Sequence, residues 1–450
     1  MKILLTTHQF FPEYTSGTEV LTYNVARELK ALGHTVNVFT GHPSEVELTD
    51  GGRLKEYDYE DIHVYQFNHS YQPMAGQNSL VEIGYDNRLG ATFFDEILDA
   101  YQPDLVHFFH LNRIGTRLIN VAVKRKIPCY FTPTDFWGVC ATGQLLLEDG
   151  AVCSGPSCNS GNCIKHLAQR RMSPLFSSVL SLIPSKFFDL LASVVRKLSL
   201  RPESKLIEIK ALSLRLDNNI TRLNKVTKII SPNSAMTNKL LEYGISPTKI
   251  ATSAFGVEVP IQTIPIVSKS ERQKLVIGFI GTIAPYKGCH VLVDAVNMIS
   301  SKDFTLKIYG RESDFPDYAA KLRHSAQNNV EFCGVFENSK MYEVLDGIDI
   351  LVVPSLWVEN TPLVIYSAQA AGCPVIASDF PGMSEVVINN ENGFLFAPGD
   401  TTELAEKLLV LINDRTALNN MRSAPVSVKS TKQYVSELLV IWDMEKVTTK

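Results

Sequence analysis

Three short stretches combine residue types suited to holding an anion: Ser16-Gly17-Thr18-Glu19, Pro285-Tyr286-Lys287-Gly288 and Glu359-Asn360-Thr361-Pro362. Each places a glycine or proline at the start of a helical pattern. The N–H groups that open a helix have no partner inside it, and the helix dipole adds partial positive charge there. Such ends accept phosphate readily. Gly17 and Gly288 put no Cβ in the way of an approaching anion, and Pro362 suits a first turn that does not need its missing N–H. Taken singly, the same stretches also read as ordinary helix starts, with Lys287 an exposed lysine and Glu359 an acid that satisfies the dipole.

Cysteine supplies a second possible chemistry. Cys140, Cys153, Cys158 and Cys163 are half of the eight cysteines and fall within 24 residues. Their spacing permits four thiolates around one structural zinc ion, with His166 able to replace one of them. Gly150, Gly155, Pro156 and Gly161 suit a knuckle with little core of its own, whose folding a metal would support. An iron–sulfur cluster or reduced thiols fit the spacing too. Cys129, Cys289, Cys333 and Cys373 lie in or beside apolar segments and read as small core residues.

Alternating strands and helices must position these residues. Lys2–Thr7 reads as a strand, Thr18–Leu32 as a helix stopped by Gly33, and Thr35–Thr40 as the next strand. Leu105–Phe109, Pro128–Thr132 and Val226–Ile230 continue the theme. After a turn-like stretch, Gly256–Ser270, it restarts with strands at Leu275–Ile280, Leu306–Tyr309, Val330–Cys333, Ile350–Val353 and Val375–Ala377. This α/β pattern predicts two doubly wound parallel sheets, with ligands at the strand C-termini.

The 450 residues suit two such domains, and 45% hydrophobic with 20% charged residues can fill their cores. A net charge of −4 argues against a general nucleic-acid binder. No apolar run reaches the roughly 18 residues of a membrane span, and the apolar start is too short for a secretory leader. Few cysteines for the length point to a reducing, cytoplasmic setting. One segment breaks the pattern. From Lys165 to Lys228 there are 13 Lys/Arg and four Asp/Glu, a net of +9, beside an apolar run that includes Phe176, Val179, Leu182, Phe187 and Leu190. That composition reads either as a membrane-surface helix or as a helical hairpin packed on the first domain with a solvated basic face. Neither common nucleotide motif occurs. Gly278 to Gly288 lacks the Gly-Lys-Ser/Thr ending of a P-loop, and no glycine-rich dinucleotide fingerprint follows the first strand.

The run Gly281-Thr-Ile-Ala-Pro-Tyr-Lys287-Gly288, followed by Trp357-Val-Glu359-Asn-Thr-Pro-Leu-Val-Ile-Tyr-Ser367 and Gly372-Cys-Pro374, resembles the donor-binding half of family 4 retaining glycosyltransferases. Phe11-Pro12 with Gly17, and Pro103-Asp104-Leu-Val-His107-Phe-Phe-His110, resemble that family's N-terminal landmarks. Pro381-Gly382, Asn392-Gly393 and Pro398-Gly399-Asp400 follow its C-terminal ones in order. The segment from Asp135 through Cys140 to Pro156 resembles cysteine-bearing bacterial members.

The resemblance implies the GT-B fold, two Rossmann-like domains facing across a cleft. The implied first domain spans residues 1–258, with a cysteine-rich loop at 138–166 and a basic helical insertion at 167–225. The donor-binding domain is 259–424, and the helix in 425–450 returns to the first. Carried over, the family roles give Lys287 the donor pyrophosphate, where a charge-assisted hydrogen bond contributes about 1.5–3 kcal/mol. Glu359 would accept hydrogen bonds from donor-sugar hydroxyls near the reacting carbon, and catalytic His110 would line the cleft from the first domain. The N–H groups from Thr361 through Leu363 to Val364 would hold the distal phosphate, with Gly281, Asn360 and Pro362 also on the donor side, and Gly17 would approach the phosphate or the acceptor. Asp135 would orient an acceptor hydroxyl or cap a turn, and His107 and His110 also fit structural roles.

Two positions depart from the family pattern. Thr282 stands where an arginine is usual, and Ser367 where a second glutamate grips the ribose, so each offers only a neutral hydroxyl. The implied reaction moves a sugar from a nucleotide-diphosphate donor, with retention, to a glycan or lipid-linked acceptor in bacterial envelope polysaccharide synthesis. The leaving phosphate takes the acceptor proton, and no divalent metal is needed. The implied setting is cytoplasmic, peripheral at the inner, anionic face of the membrane. Thr282 and Ser367 also fit a catalytically silent module that binds sugar nucleotide or glycan.

Overall fold

Runs of four to six Val, Ile, Leu and Phe residues without polar alternation need cover on both faces, which a parallel sheet between helix layers provides. In the computed structural model the chain builds two such sheets. It describes residues 1–448 apart from 45, 47, 70, 71, 202, 260–273 and 302, with side chains at 174–176 and 444–448 also left aside. Much of the expected turn-like stretch 256–270 lies outside the described residues. The chain divides into two compact units, Met1–Ser253 with Val435–Lys450, and Ala254–Tyr434.

The first unit holds an eight-stranded sheet in the order β3-β4-β2-β1-β5-β6-β7-β8. Its strands are β1 (Lys2–Thr7), β2 (Thr35–Pro43), β3 (Leu54–Tyr59), β4 (Ile62–His69), β5 (Leu105–Phe108), β6 (Cys129–Phe131), β7 (Lys228–Ser231) and β8 (Ile250–Thr252). Only β3 runs antiparallel, as an edge hairpin with β4. The helix Thr431–Thr448 closes on this sheet through Trp442, which is buried, lies 5.5 Å from the His107 ring and accepts a hydrogen bond from the Tyr130 hydroxyl at 3.2 Å.

The basic segment folds into the helices Gly161–Arg171, Pro174–Ser181, Ser185–Lys197 and Ile207–Leu223. Ile164, Phe188, Ala192 and Leu212 form their common core. Part of the segment's charge is used internally. Arg215 is buried and donates to the Trp137 and Val139 carbonyls, and Arg222 pairs with Asp86 at 2.8 Å. Asp189 accepts from the Asn159 and Gly161 N–H groups at 3.0 and 2.9 Å, which ties the third helix of the segment to the start of the first.

The second unit carries a fully parallel six-stranded sheet in the order β11-β10-β9-β12-β13-β14. These strands are β9 (Leu275–Ile280), β10 (Phe304–Tyr309), β11 (Val330–Gly334), β12 (Ile350–Val353), β13 (Val375–Ser378) and β14 (Gly393–Phe396). Its two ends are tied together, because the Val257 N–H donates to the Lys429 carbonyl at 3.0 Å and the Thr431 N–H to the Val257 carbonyl at 2.8 Å. That pairing keeps 254–258 and 425–434 with the second unit, so the division falls outside the expected limits of 258 and 424.

Candidate functional site

In an open parallel sheet the ligand crevice lies beyond the strand C-termini where the strand order reverses. In the second unit that point is between β9 and β12. The loop leaving β9 carries Gly281 to Gly288, and the loop leaving β12 carries Pro354 to Pro362. Gly288 has φ +70°, and a Cβ on it would stand 1.8 Å from the Pro354 carbonyl oxygen. Only glycine lets the two loops meet there. The Leu356 N–H then donates to the Tyr286 carbonyl at 2.8 Å and fixes their register.

Across this junction the Lys287 Nζ donates to the Glu359 Oε1 at 2.6 Å. The Ser355 hydroxyl donates to the same oxygen at 2.7 Å. Glu359 is 5% exposed, whereas 24% of the Lys287 side chain remains in solvent. The carboxylate is therefore held in place while the amine stays within reach of a ligand. The Lys287 Nζ also lies 5.2 Å from the centre of the Trp357 ring, within range of a cation–π contact.

The residues that follow are equally constrained. Thr361 has φ +50° and donates its hydroxyl to the Gly382 carbonyl at 2.5 Å. A Cβ on Gly382 would stand 2.1 Å from the Glu359 carbonyl oxygen, so this second close approach also needs glycine. Asn360 and Thr361 are buried, and Leu363 and Val364 are half-buried at the start of the helix Leu363–Ala370. That helix follows Pro362 with no side-chain cap, which leaves its opening suited to an anion. Gly281 and Thr282 are half-buried just past β9. Ser367 is buried, one turn into the helix. Burial pushes the phenol of Tyr342 well above its ordinary range, and a hydrogen bond with Ser367 partly offsets this.

The first unit has its own reversal, between β1 and β5. His8 follows β1, His110 follows β5, and their rings are 4.1 Å apart. The Asn112 N–H donates to the His110 Nδ1 at 3.2 Å, so the neutral ring carries its proton on Nε2. That nitrogen lies 3.1 Å from the Asp135 Oδ1 but lacks hydrogen-bond alignment with it. Asp135 also caps the short turn Phe136–Gly138 by accepting from the Trp137 N–H at 2.7 Å. Of the two roles expected of Asp135, the turn cap is the one present. Gly17 is exposed at the opening of the helix Gly17–Ala31, which has no side-chain cap.

Two members of this cluster escaped the sequence reading. Glu19 is buried, and its Oε1 lies 3.7 Å from the His8 Nε2. Burial raises its pKa from 4.5 to about 7, against the lowering influence of its own N–H, His110 and the Ser16 N–H. Burial, then His110 and His69, hold the His8 pKa well below its ordinary value. The signal for Glu19 was its position: it shares the buried helix face with Thr22, Ala26 and Leu29. Ser355 and Trp357 were likewise missed as partners of the Glu359–Lys287 pair. His107 is a packing residue: it is buried, pairs with the Thr132 hydroxyl at 2.8 Å and has its pKa lowered to about 3 by burial.

The cysteines do not assemble as their spacing suggested. Cys140, Cys153 and Cys163 line one small cavity with His166, but Cys158 is exposed. Among the described residues, no group of three or more His, Cys, Asp or Glu is disposed to hold a metal ion. As placed, these side chains do not fit a four-thiolate zinc or iron–sulfur site. Cys129, Cys289 and Cys373 are buried as expected of core residues, whereas Cys333 is exposed, because the edge strand β11 leaves it uncovered.

Residues 274–414 match the model for glycosyl transferases group 1, and residues 15–143 match the model for glycosyltransferase family 4. A D-inositol 3-phosphate glycosyltransferase of Jonesia denitrificans is 30% identical over 40% of this chain and 47% of its own. A capsular polysaccharide biosynthesis glycosyltransferase of Staphylococcus aureus, CapM, is 28% identical over 42% of this chain and 50% of its own. The chain thus spans about half the length of these relatives. The crystal structure of Anabaena Alr3699/HepE in complex with UDP and glucose superposes with a TM-score of 0.60 at 16% identity over 100% of both chains, a likeness of fold. The two family models fall on the two parallel-sheet units in order, and the chain belongs to family 4 of the glycosyltransferases, with the GT-B fold.

Proposed function

We propose that this protein transfers a sugar, with retention at the anomeric carbon, from a nucleotide-diphosphate sugar to a hydroxyl of a glycan or lipid-linked acceptor. The observation that carries the reading is the Lys287–Glu359 pair at the β9/β12 reversal, beside the uncapped helix start at Leu363. The Lys287 amine and the N–H groups of Thr361, Leu363 and Val364 offset the charge that grows on the departing diphosphate. Glu359, held by Ser355, accepts hydrogen bonds from sugar hydroxyls near the reacting carbon. The departing phosphate takes the acceptor proton, His110 lines the catalytic site from the first unit, and Asp135 orients the acceptor hydroxyl. This chemistry needs no divalent metal. A UDP-sugar is the first donor to try, since HepE binds UDP and glucose, and CapM supports polysaccharide synthesis as the setting. A lipid-linked acceptor would hold the protein peripherally at the inner face of the membrane. No described helix is long and apolar enough to cross one.

A thermal-shift panel of sugar nucleotides, followed by transfer assays with the stabilising donor, tests this reading. Ligand at 100 times its dissociation constant stabilises by about 2.7 kcal/mol. Turnover abolished by both Lys287→Ala and Glu359→Gln supports the transferase. Donor binding with no turnover on any acceptor favours a silent binding module instead. The neutral Thr282 and the buried hydroxyl of Ser367, in place of charged donor contacts, are what give that second reading weight.

A further inference from the structure

We infer that the outer face of the helix Ser185–Lys197, with the turns on either side of it, docks on an anionic phospholipid surface. This deepens the peripheral part of the proposed function by naming its surface. The helix is apolar on two sides. Phe188, Ala192 and Val195 are buried in the first unit, yet Phe187 is 56%, Leu190 65% and Val194 52% exposed, and Leu182 just before them is 82% exposed. At about 100° per residue, Leu190, Val194, Phe187 and Leu198 share an arc of about 80°, so they form one stripe. Apolar side chains scattered singly over a surface need no explanation, but a continuous stripe does.

Charge selects the occupant. Lys186 and Lys197 are exposed along one edge of the stripe, and beyond its ends Arg171, Arg201 and Lys205 are exposed with one acid, Glu203, among them, while Arg170 pairs with Glu148 at 3.2 Å. The one acid between Met172 and Arg201 is Asp189, and its carboxylate is turned inward to the Asn159 and Gly161 N–H groups. An apolar stripe bordered by cations, with its carboxylate withdrawn, matches acyl chains beneath anionic headgroups.

Sedimentation with phosphatidylcholine vesicles, with and without about 30 mol% phosphatidylglycerol, tests the inference. The wild type is expected to bind the anionic vesicles and to leave the zwitterionic ones largely free. Leu190→Glu is expected to weaken binding at least about tenfold, and Lys186→Gln and Lys197→Gln about fivefold each. Each substitution replaces an exposed side chain, and unchanged circular dichroism confirms that the variants fold. Absence of wild-type binding, or equal binding by Leu190→Glu, overturns the inference. A concentration-dependent dimer in light scattering that Leu190→Glu dissolves would overturn it in favour of a second copy of this chain. Donor binding is measured in the same preparations, so vesicle binding can fail while the transferase reading stands.

Discussion

Removing the amine of Lys287 should be costly in two separable ways. In the structure, the Glu359 Oε1 accepts from Lys287 at 2.6 Å and from Ser355 at 2.7 Å, with the carboxylate 5% exposed. Lys287→Ala therefore leaves a buried carboxylate with one neutral donor at that oxygen. Breaking a fully buried pair costs about 3–5 kcal/mol, and the solvent exposure of the lysine reduces this to about 2 kcal/mol. For a unit of this size that is a fall in melting temperature of about 4–8 °C. Glu359→Gln keeps an acceptor for Ser355, and in the double variant no charge is stranded, so the double should lose less than the two single losses combined. Calorimetry on the three variants gives the coupling. Titration with UDP, the nucleotide seen in HepE, gives the second effect: loss of a charge-assisted hydrogen bond of about 1.5–3 kcal/mol weakens binding by about 10- to 150-fold. Strictly additive melting losses would refute the stranded-charge argument. Unchanged UDP affinity would refute the assignment of Lys287 to the diphosphate.

Glu19 makes stability depend on pH. Its folded pKa of about 7 lies above the ordinary 4.5, so the folded state binds the extra proton between these values and stability falls as pH rises through that window. Glu19→Gln should match wild type near pH 4.5 and exceed it by about 3 kcal/mol at pH 8, read from urea midpoints at the two pH values; a pH-independent difference would be contrary. Gly288→Ala puts a Cβ against the Pro354 carbonyl at a φ of +70°, so the second unit should lose at least about 3 kcal/mol and the donor response with it, measured by calorimetry and thermal shift. Among the thiols, Cys158 and Cys333 are the exposed ones and should react first with an aromatic disulfide reagent. Cys158→Ser should remove one fast equivalent, and a protected Cys158 would point to metal ligation.

What could be read beforehand depended on whether a side chain's task was local. The strands β9, β10 and β12 announce themselves by unbroken apolar runs, and the Lys287 and Glu359 loops by their order along the chain. β3 is hidden because an edge strand faces solvent and its Lys55, Glu56 and Asp58 mask the apolar pattern; β4, beside it, is apolar at Ile62, Val64 and Phe67, where the alternation slips by one residue. Cysteine spacing suggested a metal site because spacing carries no direction: helix Gly161–Arg171 orients Cys163 inward, while Cys158, ahead of it, faces out. Net charge is directionless in the same way: of the thirteen bases in one segment, Arg215 and Arg222 turn inward to buried carbonyls and Asp86, while Lys186 and Lys197 face solvent.

His8 and Glu19 show why part of the first-unit cluster was not legible. Each is unremarkable in its own segment, one following a strand and one opening a helix. The sheet order brings β1 next to β5, so His8 meets His110 across the reversal, while the helix after β1 folds Glu19 back beneath them. A carboxyl whose pKa burial raises to about 7, lying 3.7 Å from an imidazole whose pKa burial lowers, is an arrangement that no motif records, because its parts come from topology. The second unit repeats the device with β9 and β12, but there the loops carry a lysine and a glutamate whose ion pair is tied by glycine contacts. One reversal thus gathers a buried carboxyl and two imidazoles and the other a lysine–glutamate ion pair, so the same topological position carries different chemistry in the two units.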